Sequence, residues 1–186
     1  MTMQPTTETP VQAYKERIAK LQAAMKEFGY QAVVLEPGPA MVYLTGVRWG
    51  KSERTFALVL PAQGEPVWVV PAFEEARARE LIPGGTGFSL STGGQGSRIP
   101  TGPDIRIWQE DESPYERIVQ GIQDRAAGAP SGPARVGIDD AARFFVFDGI
   151  RKLAPKLDYT SAATVLKQGG VDTAAPAARG RGGAGR

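Results

Sequence analysis

The 186 residues of this sequence include no histidine and no cysteine, which excludes several kinds of catalytic and metal site. Without histidine there is no imidazole general base and no Ser-His-Asp triad. Without cysteine there is no thiolate nucleophile, no disulfide and no cysteine-bound zinc. A metal ion could be held only by oxygen ligands, which favour hard cations such as magnesium or manganese. The sequence therefore predicts no catalytic residue, no resident metal and no cofactor in this chain.

Two groups of carboxylates come nearest to a metal site, Glu110–Glu112 and the pair Asp139 and Asp140. Each group precedes a predicted helix, where negative charge complements the helix dipole. One short cluster rarely supplies a full oxygen cage. We interpret both groups as structural, with an oxygen-ligated metal site as the alternative.

The segment Gly46–Ser52 reads Gly-Val-Arg-Trp-Gly-Lys-Ser and is similar to a phosphate-binding loop. A Walker loop needs four residues between its glycines so that backbone amides can wrap a phosphate, and here there are three. Nucleotide binding is therefore not predicted.

The same region supplies the candidate contact residues for a substrate or partner: Tyr43, Arg48, Trp49 and Arg54. Arg48 offers a guanidinium fork for a carboxylate, and Trp49 offers an aromatic face for stacking. The alternative is that Arg48 and Trp49 only pack against a partner subunit.

The net charge of +2 comes from the C-terminal segment, where three arginines outnumber Asp172. The body is formally neutral, so a nucleic-acid partner is not expected. No stretch of about 18 apolar residues predicts a membrane span, and the polar first ten residues are unlike a signal peptide. We expect a cytoplasmic chain without a membrane partner.

Alternating helix and strand patterns predict an α/β fold with a mixed sheet flanked by helices. The predicted helices cover 11–28, 40–44, 72–81, 113–126 and 141–153, followed by a short, fraying helix at 162–167; the predicted strands cover 31–35, 54–60, 66–70, 105–109, 135–138 and 157–161. The helix at 113 carries a capping-box pattern in Ser113 and Glu116. The helix at 141 places Phe144, Phe147 and Ile150 on one face.

Composition divides the chain into three parts. We expect a disordered lead at 1–10, a folded domain at 11–168, and a Gly/Ala/Arg tail at 169–186 that is too poor in apolar residues to join the core. Within the domain, residues 84–103 are glycine-rich and predict a long loop.

Several segments, in order, resemble the N-terminal domain that precedes the pita-bread catalytic domain in the creatinase, prolidase and aminopeptidase P family. They are the first helix, the strand "AVVL", the turn "MVYLTG", the hairpin "ALVLP…PVWVVP", and the later stretches "IRIWQEDESPYERI" and "VGIDDAARFFVFDGIRKLAP". The resemblance covers residues 12–167 and implies a ribonuclease-H-like arrangement.

The resemblance also implies a role. This domain usually carries no catalytic group; it builds a homo-oligomer and shapes the entrance through which a peptide substrate reaches its own or a partner's catalytic domain. That catalytic domain would bind two divalent metal ions and cleave the bond before proline.

Two departures from the family pattern shape the expectation for this chain. In the first, no catalytic ligand set is present, and the Gly/Ala/Arg/Pro run after "TVLKQ" replaces an expected basic helix, as a frameshift would. In the second, residues 84–103 are longer and more glycine-rich than the family's connection there, which is typical of a local insertion. We therefore expect a truncated, non-catalytic N-terminal domain of a Xaa-Pro aminopeptidase- or prolidase-like metallopeptidase. The alternative is a small binding module whose basic tail docks nucleic acid or an acidic partner.

Overall fold

Six helices and six strands form the part of the chain that the computed structural model describes, residues 10–84, 103–125 and 134–171. The helices are Pro10–Glu27 (α1), Pro39–Thr45 (α2), Glu75–Leu81 (α3), Pro114–Asp124 (α4), Phe144–Leu153 (α5) and Ala163–Gln168 (α6). The strands are Tyr30–Leu35 (β1), Ala57–Pro61 (β2), Val67–Pro71 (β3), Asp104–Trp108 (β4), Arg135–Ile138 (β5) and Asp158–Ser161 (β6). A short 3-10 helix, Ala72–Glu74, leads into α3.

The strands form one mixed sheet in the order β4-β3-β2-β1-β5-β6. Strand β1 is parallel to β5, β5 is parallel to β6, and β3 is parallel to β4. Strand β2 is antiparallel to both of its neighbours, β1 and β3. Five strands therefore end at the same edge of the sheet, and the predicted α/β fold with a mixed sheet is confirmed.

Both faces of the sheet are covered by helices, which explains why β1, β2 and β3 are apolar almost throughout. All residues of these three strands are buried. Helices α1, α2, α3 and α6 pack on one face, over strand residues such as Val33 and Leu58. Helices α4 and α5 pack on the other face, over residues such as Val34 and Val59. The alternation of side chains along each strand thus feeds two separate cores.

Helices α4 and α5 lie against each other because α5 carries a glycine at the contact. A Cβ built on Gly149 would lie 2.4 Å from the Tyr115 ring. No larger residue fits there without moving the two helices apart. The apolar positions Ile118 and Ile122 of α4 and Ile150 of α5 are then fully buried beneath the pair.

Two local predictions are wrong. Ser113 makes no side-chain capping bond at the start of α4, so the capping box does not form; the Glu116 amide instead donates to the Ser113 carbonyl, 3.2 Å away. The second concerns where α5 begins. The rings of Phe144 and Phe147 lie side by side, with centroids 6.4 Å apart, but Phe144 is 75% exposed, and the buried residues of α5 are Val146 and Ile150. Helix α5 starts three residues later than predicted, after an extended Arg143, and its buried face is set by contact with α4 and the sheet.

The folded region runs past the predicted boundary at residue 168. Gly169 donates to the Val165 carbonyl, and the Val171 amide donates to the Leu166 carbonyl at 2.8 Å. Val171 is 2% exposed and belongs to the core beneath α1 and α6. The expectation that nothing after residue 168 joins the core is therefore wrong for Gly169–Val171, because the turn that ends α6 folds Val171 back onto the domain.

Several sequence predictions fall outside the described residues: those on the lead up to residue 9, on most of the 84–103 loop, and on the tail from residue 172. At the N-terminal boundary, helix α1 already begins at Pro10. No helix in the described ranges is both long and apolar enough to cross a membrane.

We predict that Val171→Ala lowers the free energy of unfolding by about 1–3 kcal/mol, because a fully buried valine loses two methyl groups and leaves a cavity. Chemical denaturation measures this change. Val11→Ala is the matched control: Val11 is 46% exposed, and its change should stay within about 0.5 kcal/mol. Equal stability of the Val171 variant and the parent would contradict a structural role for this residue.

Candidate functional site

The edge at which five strands end is crossed by the long connection between α2 and β2. Its residues Gly46–Thr55 are called here the edge loop. Its start is set by Gly46, which ends α2 with φ 76° and donates its amide to the Val42 carbonyl. A Cβ on Gly46 would also lie 2.3 Å from the Tyr14 hydroxyl. Glycine is therefore required twice at this position, for its backbone conformation and for the close approach of α1.

On its α5 side, the edge loop is held by the segment that follows β5. The Lys51 ammonium donates to the Ala141 carbonyl, and the Arg143 guanidinium donates to the Ser52 carbonyl. Arg143 in turn pairs with Glu36, the first residue after β1. Its Nη2 lies 2.6 Å from Glu36 Oε1, and its backbone amide donates to Glu36 Oε2 at 2.7 Å.

The acidic groups at this end of β1 and β5 are buried. The Glu36 side chain is fully shielded from solvent, and its charge is met by Arg143. Asp139 is 5% exposed and accepts the Ala141 amide on Oδ1, while its Oδ2 has no hydrogen-bond partner among the described residues. Burial raises the pKa of the Asp139 carboxyl, although the Ala141 amide and the Lys51 charge oppose that shift.

On its other side, the edge loop is held by the segment between β4 and α4. Arg54 Nη2 lies 2.6 Å from Glu110 Oε1, and Arg54 Nη1 lies 2.8 Å from Glu53. The hydrogen bond to Glu110 raises the pKa of Arg54. The indole Nε1 of Trp108 donates to the Thr55 carbonyl at 3.0 Å. Arg54 is thus fully engaged within the protein.

Next to Arg54 lies an open depression of about 550 Å3, walled by Pro71–Phe73 and Trp108–Asp111. Phe73 is 83% exposed, and the Arg54 guanidinium lies 5.5 Å from its ring centroid. The depression offers an aromatic face and carboxylates. No nucleophile with an adjacent base is among the residues that line it.

The four predicted contact residues have different surroundings. Tyr43 lies on α2, where the Arg17 guanidinium covers its ring at 4.5 Å and donates to its carbonyl at 2.7 Å. Trp49 stacks on Phe56 with ring centroids 4.1 Å apart, and Arg77 lies 4.6 Å from the Trp49 ring.

Arg48 differs from its neighbours in the edge loop. It is exposed, and it makes no hydrogen bond or ion pair with any residue in 10–84, 103–125 or 134–171. Lys51 and Arg54, in contrast, are both bound to groups of the protein. Arg48 is therefore the cation of this loop that is available to a ligand.

The two acidic clusters have protein partners in the structure. Glu112 accepts the Gln109 amide and pairs with Arg117 at 3.0 Å. Asp140 accepts the Ser161 hydroxyl at 2.5 Å. Within the described residues, no group of three or more potential ligands could hold a metal ion. Glu112 and Asp140 thus have partners within the protein.

Sequence reasoning missed Glu36, Lys51 and Arg143 as members of the site. A signal was present for Glu36, because a charged residue directly follows the all-apolar strand "AVVL" at its carboxyl end. No local pattern pointed to Arg143, since its partner Glu36 is 107 residues away in the chain.

Comparison with known proteins identifies the fold and the family. The chain is 29% identical over 150 residues to an uncharacterized peptidase of Schizosaccharomyces pombe, and it covers 28% of that protein. It is 39% identical over 69 residues to a probable dipeptidase PepE of Mycobacterium tuberculosis, covering 18% of it. The chain thus spans less than a third of the curated relatives that it matches.

Solved structures give the same result. The dipeptidase PepE of Mycobacterium ulcerans superposes with a TM-score of 0.67 at 25% identity, over 87% of this chain and 37% of that protein. The Creatinase/Prolidase N-terminal domain of an X-Pro dipeptidase from Streptococcus pyogenes superposes with a TM-score of 0.57 at 18% identity, over 81% of this chain and 96% of that domain.

The match is therefore to one domain of these peptidases, and the sequence model of that domain covers residues 17–169. Its mixed sheet, its flanking helices and the order of its segments agree with that assignment. The chain belongs to the family of the creatinase/prolidase N-terminal domain.

Proposed function

We propose that this chain acts as the non-catalytic accessory domain of a prolidase- or dipeptidase-type metallopeptidase. In this role its edge loop borders the substrate entrance of a catalytic domain, in its own protein or in a partner. The observation that carries the proposal is Arg48, an exposed guanidinium without a described partner on a loop that is held on both sides.

The ligand chemistry follows from the loop. A dipeptide ending in proline presents a free carboxylate, which a guanidinium can bind through two parallel hydrogen bonds. Lys51 and Arg54 are already bound within the protein, so they hold the loop in place rather than compete for that carboxylate. Phe73 adds an exposed aromatic surface beside Arg54.

A second part of the role is self-association. Phe144 and Phe145 at the start of α5 are 75% and 43% exposed, and Arg143 covers the Phe145 ring at 4.5 Å. Exposed neighbouring aromatic residues are typical of protein interfaces. We propose that a second copy of this chain covers them.

The first prediction from this proposed role concerns activity. The purified 186-residue chain should not hydrolyse Xaa-Pro dipeptides with manganese, cobalt or zinc added, because it has no histidine and the described residues include no metal-ligand cluster. Release of proline measures this. Turnover that copurifies with the chain, and is missing from a mock preparation, would contradict the non-catalytic role.

The second prediction concerns Arg48 and uses a chimera in which this chain replaces the N-terminal domain of a PepE-type dipeptidase. Arg48→Ala should raise KM for an Xaa-Pro dipeptide by about tenfold or more with little change in kcat, since one charge-assisted hydrogen bond contributes about 1.5–3 kcal/mol. Arg151→Ala, at an exposed ion pair on α5, is the matched control. An unchanged KM in the Arg48 variant would contradict the proposal that Arg48 lies at the substrate entrance.

The third prediction concerns association. Sedimentation velocity at micromolar concentrations should show a homodimer, and Phe144→Ser should shift it toward monomer because each phenylalanine buried in an interface contributes about 1.5–3 kcal/mol. Val11→Ser, at another exposed apolar position, should leave the dimer intact. A parent chain that stays monomeric and binds no apolar dye would contradict this part of the role.

A further inference from the structure

The edge loop has its ends and its middle held by different partners. The Trp49 side chain is held by Phe56 and Arg77, and the end of the loop is held through Arg54 and Thr55. Its middle, Gly50–Glu53, has no residue in either core. Among the described residues, the hydrogen bonds that join this middle part to the rest of the fold are those of Lys51 with Ala141 and of Ser52 with Arg143.

Of these two contacts, the one through Arg143 connects the edge loop to a buried side chain, Glu36. Arg143 donates to Glu36 through Nε, Nη2 and its own backbone amide, while Nη1 donates to the Ser52 carbonyl. The Glu36 side chain is fully buried, so water cannot replace the arginine. The planar guanidinium thus joins the end of the central strand β1 to the middle of the edge loop.

A lysine could not perform both tasks. A single ammonium can neutralise Glu36, but it lacks the planar fork that reaches a carboxylate and a separate carbonyl in fixed directions. The Lys51 contact gives a second attachment to the same segment, but it comes from an exposed side chain, whereas Arg143 is itself fixed by the buried Glu36. It is therefore the weaker of the two attachments.

We propose that Arg143 is a positioning residue, which transmits the fixed position of Glu36 to the middle of the edge loop, Gly50–Glu53. Arg48 lies between Val47, which is buried, and Trp49, which is stacked on Phe56, so the release of Ser52 leaves the start of the loop held and frees the segment after Trp49. The effect on the mobility of the loop does not depend on the proposed function, whereas the effect on substrate binding rests on it.

The test is hydrogen exchange on the full 186-residue chain. In Arg143→Lys, which keeps Glu36 neutralised, the amides of residues 50–55 should exchange about tenfold faster, while those of β1 and β2 stay within about twofold of the parent. The matched control is Arg135→Lys at the exposed pair with Asp158; within the described residues Arg135 bonds to Asp158 and Phe28 and not to the edge loop. It should change neither set of amides.

A second variant keeps the proposal testable if Arg143→Lys does not fold. Glu36→Gln preserves the size of the buried side chain and removes its charge, which weakens the hold on Arg143; it should loosen the same amides of the edge loop. Unchanged loop amides in the folded variants would overturn the proposal. An equal acceleration of the sheet amides would overturn it too, because Arg143 would then be a general stability residue.

The chimera described above separates this inference from the proposed function. Arg143→Lys there should raise KM with kcat retained, since the loosened segment Gly50–Glu53 lies in the loop proposed to border the substrate entrance. Loosened loop amides with an unchanged KM would uphold the positioning of the loop and reject its place at a substrate entrance.

Discussion

The carboxyl edge of this domain depends on one buried carboxylate. Strand β1 is apolar and buried along its whole length, and the next residue, Glu36, is 1% exposed. An ionised carboxylate without a partner at such a depth costs several kcal/mol, and removing one member of a buried pair typically costs about 3–5 kcal/mol. Arg143 is the partner that neutralises the Glu36 carboxylate. The turn after β5 and the edge loop both come to the same place because the guanidinium lies there.

The other ion pairs of the domain constrain it much less. Arg135 and Asp158, for example, are each more than 40% exposed, and such a pair contributes about 0–1 kcal/mol. Arg54 is intermediate, since its partners Glu53 and Glu110 are largely in solvent. Arg48 has no described partner and is placed by its loop alone. A rigid framework that ends in one available cation is well suited to bind a carboxylate, because little ordering remains to be done on binding.

The elements themselves were largely predictable because they rest on local patterns. Strand β5 was predicted to the residue, and β1 and α2 to within one residue at each end, since apolar runs bounded by glycine and proline carry their own signals. Departures from the local patterns occur where packing against neighbouring elements decides the contacts of a side chain. Ser113 follows the capping-box pattern, yet its side chain makes no capping bond. Phe144 fits a helical stripe, yet the buried stripe of α5 runs through Val146 and Ile150.

The sequence by itself excluded chemistry that depends on histidine or cysteine. It also determined the two-sided burial of the central strands and the family to which the chain belongs. Each of these follows from residue types and their order along the chain. Tertiary structure alone decided that Arg143 meets Glu36 across 107 residues, that Val171 folds back into the core, and that Arg48 remains without a described partner among its bound neighbours. Those outcomes depend on which distant groups the fold brings within hydrogen-bond distance or removes from water, and no local pattern records that.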